Sequence, residues 1–150
     1  MTTLTLITEI AAGIEKCFDI ARSIDVHVNS MSNTRERAIA GKITGLCEAG
    51  DKVTWEATHF GIKQQLISEI TKMNRPVCFE DKMLKGAFKS MRHEHHFREI
   101  NGKTIMKDVF IYETPFNIFG KLFDQLILKN YMKNLLEQRN KTIKSLAERH

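Results

Sequence analysis

A chain of 150 residues is long enough for one domain with a sizeable core and too short for two ordinary ones. Its 42% apolar and 27% charged residues exclude a disordered chain, and no apolar run approaches the roughly 20 residues that span a bilayer. The formal charge of +5 is mildly basic, but 23 basic residues interleave with 18 acidic ones, which reads as a solvated surface with no nucleic-acid partner expected.

The opening Met1–Thr5 has neither a basic segment nor a continuous apolar stretch, so it does not resemble a secretory signal. Leu4, Leu6 and Thr8 then alternate with Thr3, Thr5 and Ile7, predicting a strand to about Ile10. After the break at Ala11-Ala12-Gly13, the residues Ile14, Cys17, Phe18 and Ala21 fall at helical spacing, with Glu15 early in the helix where the dipole favours an acid. A second short helix is expected from Ile24 to Ser30, and a loop from Ser30 to Arg37.

From Ala38 to Thr114 strands and turns alternate. Glu48-Ala49-Gly50-Asp51 sets up a hairpin into Lys52 to Phe60, and Gly61 permits a reversal into Ile62 to Lys72. Val77 to Leu84 and Ser90 to Ile100 follow, then the strong hairpin turn Asn101-Gly102 and a last strand from Lys103 to Tyr112. Short turns between consecutive strands imply an antiparallel meander. After Pro115 the apolar period becomes 3.6, and a broad stripe from Phe119 and Leu122 through Leu126 and Leu136 to Leu146 predicts one long helix lying against the sheet. Cys17, Cys47 and Cys78 are odd in number and scattered, which reads as small buried hydrophobes in a reducing compartment, and cytoplasm is expected.

This order of one strand, two short helices, six strands and a long helix resembles the helix-grip fold of the START-like (Bet v 1-like, or SRPBCC) superfamily. Leu6 to Asp19 is similar to the opening of many members, with Gly13 where many have proline. Gly50 to Trp55 resembles the family's second hairpin, and Met106 to Phe110 with the helix after Pro115 resembles its last strand and C-terminal cover. The resemblance spans nearly the whole chain, as a single domain over 1–150, and points toward the bacterial branch labelled polyketide cyclase/dehydrase-like or ligand-binding. It implies an α+β fold of about seven strands wrapped around the C-terminal helix. It also implies an internal cavity, since the superfamily binds lipids, sterols, hormones and polyketides.

Strand alternation assigns the inward faces. Val53, Trp55, Ala57 and His59 form one set, Gln64, Leu66, Ser68 and Ile70 the next, then Phe79, Asp81 and Met83. Met91, His93, His95 and Phe97 follow, and the last strand contributes Thr104, Met106, Asp108, Phe110 and Tyr112, with Leu122 and Leu126 opposite on the helix. His59, Asp81, His93, His95 and Asp108 stand out among these apolar residues. Buried charge is costly unless paired, so Asp–His pairs are expected at one end of the cavity. Either they bind the ligand or they satisfy one another structurally.

His93-Glu94-His95-His96 partly resembles the first metal motif of cupins. Its glycines are misplaced, the only later histidine is His150, and a third ligand would have to come from His59 or Asp108, so no metal and no cofactor are expected. Three functions remain open. The first is binding of a mainly apolar molecule such as a lipid, isoprenoid, polyketide or aromatic metabolite. The second is a cyclase or dehydratase with His59 or His95 as general base, oriented by Asp108 or Asp81. The third is an interaction module whose basic surface or apolar helix meets a membrane or a protein.

Overall fold

The computed structural model describes residues 1–149. Strand β1 (Thr2–Ile10) leads into α1 (Ile14–Ala21) and α2 (Ile24–Ser30), and a single 3-10 turn precedes β2 (Arg37–Gly41). Five longer strands follow: β3 (Lys52–His59), β4 (Ile62–Asn74), β5 (Cys78–Lys85), β6 (Ser90–Ile100) and β7 (Lys103–Glu113). The seven strands form one sheet in the order β1-β7-β6-β5-β4-β3-β2, with antiparallel neighbours throughout. The meander from β2 to β7 is the expected one, and β1 joins it by pairing with β7.

Local chemistry sets the turns. Asn101 and Gly102 both take positive φ, at 52° and 78°, the geometry that joins β6 to β7 with two residues. Ser23 accepts a hydrogen bond from the Val26 N–H at 3.2 Å and so caps α2. Register shifts in β2 and at two places in the 13-residue β4 mark irregularities of the kind that bend a strand, and the sheet is curved.

The C-terminal helix runs from Asn117 to Ala147, as α3 (Asn117–Phe123), a π-helical segment (Asp124–Leu128) and α4 (Lys129–Ala147). In a π turn the backbone bonds span five residues instead of four, so the residues before it are out of phase with α4. In α4 the buried stripe is Leu135, Leu136, Arg139, Asn140, Ile143 and Ala147. Ahead of it the buried positions are Gly120, Asp124 and Leu128. Leu122 and Leu126, read as inward from a continuous 3.6 period, are instead 54% and 68% exposed.

Two apolar clusters make the core. One gathers Ile10, Phe18, Phe79, Phe97, Met106 and Ile143, with Phe18 edge-on to Phe79 and Phe97 at 5.3 and 5.2 Å. The other gathers Leu4, Phe110, Tyr112, Leu128 and Leu136. Asp124 is held by Tyr112 and Thr2, which pins the π segment to the sheet.

Candidate functional site

Between the curved sheet and the helices lies a cavity of about 660 Å3, whose walls draw on both core clusters. Of the residues read as inward, Trp55, His59, Leu66, Asp81, His93, His95 and Phe110 line it. Five others do not. Met106 is fully buried in the first core cluster, beneath the wall. Asp108 is also fully buried and reaches the cavity only through its partners. The Met83 sulfur sits beside Gly86, close enough that a Cβ there would meet it at 2.7 Å, tucked under the turn after β5. Leu122 and Leu126 are turned outward by the π segment, and Phe123, Leu128 and Leu135 supply the helical wall.

One end of the cavity is polar. His93 and His95, two apart on β6, share a face, and the register sets His93 beside Asp81 of β5 and His95 beside Asp108 of β7. The hydrogen bonds run diagonally. His93 Nε2 donates to Asp108 Oδ1 at 2.8 Å, and His95 Nε2 donates to Asp81 Oδ2 at 2.9 Å. From α4, Arg139 Nη1 donates to Asp108 Oδ1 at 3.1 Å and Asn140 Nδ2 to Asp108 Oδ2 at 2.8 Å. Arg139 Nη2 lies 3.2 Å from His95 Nδ1, and because a guanidinium only donates, that nitrogen accepts and the proton sits on Nε2. The rings stack, His93 on His95 at 3.8 Å and His95 on Phe79 at 4.0 Å.

This packing polarises the titrations. Burial pushes the His93 pKa down, assisted by the neighbouring His95, to about 4, so the ring is neutral at pH 7. Burial opposes the charged form of Asp108, but Arg139 and the histidine hydrogen bonds outweigh it and hold the carboxyl well below the usual range. Asp81 is lowered too, its burial outweighed chiefly by the hydrogen bond from His95. His59 stands apart: its Nδ1 meets the Tyr131 hydroxyl at 2.6 Å, and burial lowers its pKa. The general-base pairing expected for His59 with an aspartate is therefore absent among the described residues, while His95 does pair with Asp81.

Asp81, His93 and His95 each bring one ligand-type atom within 4.8 Å of the others, so these are the residues that could hold a metal. The third group is Asp81, not His59 or Asp108 as the sequence implied. Two features disfavour an ion. The imidazoles stack at 29°, so their in-plane lone pairs run side by side instead of converging, and both His95 nitrogens are already engaged.

Arg139 and Asn140 escaped the sequence reading, although a signal was present. They fall in phase with Leu135, Leu136 and Ile143, and a charge inside an apolar stripe needs a buried partner. At the other end of the cavity, Phe116, Ile118, Phe119 and Leu126 are 68–79% exposed, and Phe60 of the β3–β4 turn faces Phe123 at 5.7 Å across the mouth. No helix among the described residues is long and apolar enough to cross a membrane.

Comparison of the sequence finds no matching family model and no matching curated protein. Solved structures do match. The chain is similar to a protein of Thermus thermophilus, at 17% identity and TM-score 0.75, covering 97% of this chain and 99% of that one. It is similar to a START superfamily protein from Mycobacterium smegmatis, at 13% identity and TM-score 0.73, covering 97% of both chains. It also matches the major latex-like protein 151 of Panax ginseng, at 14% identity and TM-score 0.70, again over 97% of both. Topology, the C-terminal helix and these likenesses agree: the chain has the helix-grip fold of the START-like (Bet v 1-like) superfamily.

Proposed function

We propose that the protein binds a mainly apolar small molecule in this cavity, with the His–Asp–Arg cluster at its polar end. The observation that carries the reading is the cavity's size and make-up: about 660 Å3, apolar along most of its wall, with polar groups converging at one end. Small-molecule sites have this volume and this distribution of polarity. The helix-grip resemblance supports the same reading, and three free cysteines support a reducing, cytoplasmic setting. Ala57, buried on the β3 wall, offers a direct test. Ala57→Trp should fill the cavity and abolish the fluorescence of bound Nile red while leaving the circular dichroism of the fold in place. Unchanged dye binding by a folded Ala57→Trp protein refutes the proposal.

A second reading concerns the mouth. The large apolar side chains of α3 and the π segment are exposed, while the one acid there, Asp124, is buried and the lysines Lys121 and Lys129 are exposed without ion pairs among the described residues. An apolar face carrying the exposed charges of Lys121 and Lys129 fits the surface of an anionic bilayer. Phe119→Asp with Leu126→Asp should eliminate co-sedimentation with phosphatidylglycerol-containing vesicles and change stability by no more than about 0.5 kcal/mol per site. Absence of vesicle binding by the unaltered protein would dismiss this reading and leave the cavity unaffected.

A further inference from the structure

The polar end of the cavity holds a charge that its own residues leave uncancelled. Two carboxylates, Asp81 and Asp108, stand against one guanidinium, Arg139. The other charged groups on the wall have partners of their own: Arg22 lies 2.8 Å from Asp19 and 2.7 Å from Glu48, Asp51 lies 3.0 Å from Lys42, and Glu36 accepts a hydrogen bond from His27 at 2.9 Å.

The hydrogen-bond inventory shows where the excess is presented. Asp108 is spent, since Oδ1 accepts from His93 and Arg139 and Oδ2 accepts from Asn140, and its side chain has no exposed surface. Asp81 is not. Its Oδ2 accepts from His95, its Oδ1 has no partner among the described residues, and its side chain keeps 21% exposure on the cavity wall. His93 has given its Nε2–H to Asp108, which leaves Nδ1 as an acceptor without a partner among the described residues. Against these two open acceptors, the one open donor among the described cluster residues that line the cavity is the Arg139 Nε–H, on a group whose charge is committed to Asp108.

From this inventory we infer that the cavity takes an apolar molecule ending in a protonated amine, with the ammonium donating to Asp81 and His93. Asp81 and His93 are cross-strand partners on β5 and β6, both line the cavity, and one ligand-type atom of each lies within 4.8 Å of the other, so a single head group can approach both. A carboxylate-ended ligand would add a third anion beside Asp81 and Asp108. The ammonium instead restores neutrality in a region where an uncompensated charge is costly. This inference rests on the reading of the cavity as a ligand site.

The test uses three ten-carbon chains that differ only in the head group: decylamine, decanol and decanoate, each displacing Nile red from the full-length protein near neutral pH. Decylamine should compete at least about tenfold more tightly than decanoate, as expected for a charge-assisted hydrogen bond against a like-charge contact. Asp81→Asn should weaken decylamine about tenfold and leave decanol within about twofold. The unaltered protein alone decides the head-group preference, so a poorly folded variant does not rescue the inference. Ala57→Trp should lose decylamine binding, which separates the cavity from the exposed apolar mouth. Equal binding of all three chains, or tighter binding of decanoate, overturns the amine preference and leaves the cavity reading standing. If Nile red and all three chains fail to bind, both are lost.

Discussion

Replacing Arg139 by Met removes the single buried cation of the polar cluster while keeping most of the side-chain volume. Arg139 is 4% exposed, its partner Asp108 is fully buried, and the two meet at 3.1 Å. Breaking a buried pair on one side leaves an uncompensated charge, which costs about 3–5 kcal/mol. At roughly 2–4 °C per kcal/mol for a chain of this size, the melting temperature should fall by roughly 6–20 °C. The sign of the pH dependence should also change. In the unaltered protein the Asp108 carboxyl is held low, so its contribution is complete above the unfolded value of about 3.9 and is lost as pH falls through the lower folded value. Without Arg139, burial dominates and raises that pKa, so the variant should gain stability relative to the unaltered protein as pH is lowered from about 8 to about 5. Urea denaturation at several pH values measures both effects. A loss below about 1 kcal/mol, or parallel pH profiles for the two proteins, would show that Arg139 does not neutralise this cluster.

Two further outcomes rest on the same geometry. His93 is buried neutral with a pKa of about 4 against about 6.5 unfolded, so the unfolded chain binds more protons in that interval and stability should fall as pH drops from about 6.5 to 4. His93→Gln, followed by urea denaturation across that range, should flatten this slope, and an unchanged slope would assign it to other groups. Gly120→Ala should destabilise the protein by about 1–3 kcal/mol, because the added Cβ would lie 1.8 Å from the Pro115 carbonyl oxygen and force the start of α3 to move. A thermal melt unaffected by Gly120→Ala would mean that this approach is easily relieved.

The elements of the fold were legible because they depend on short-range rules. Period-two alternation identified the strands, Asn101-Gly102 gave the β6–β7 turn, and helical spacing identified α1 and α4. Alternation also put Asp81, His93, His95 and Asp108 on one side of the sheet. The misplaced wall residues share a physical origin. Met83 and Met106 alternate inward correctly, but whether an inward side chain meets a cavity or a neighbour depends on what packs over it, here Gly86 and the Ile10–Phe18 cluster. Leu122 and Leu126 were lost to a π turn, which has no signature in hydrophobic periodicity.

Sequence alone determined that two histidines and two aspartates would share the sheet's inner face, because side-chain direction on a strand depends only on counting residues. Tertiary structure decided their pairing: His93 with Asp108, His95 with Asp81, and Arg139 reaching between them from a helix that is distant in sequence. Strand register and the seating of α4 fix those contacts, and both arise from packing over the whole chain. The open acceptors at the cavity's polar end are a product of that packing.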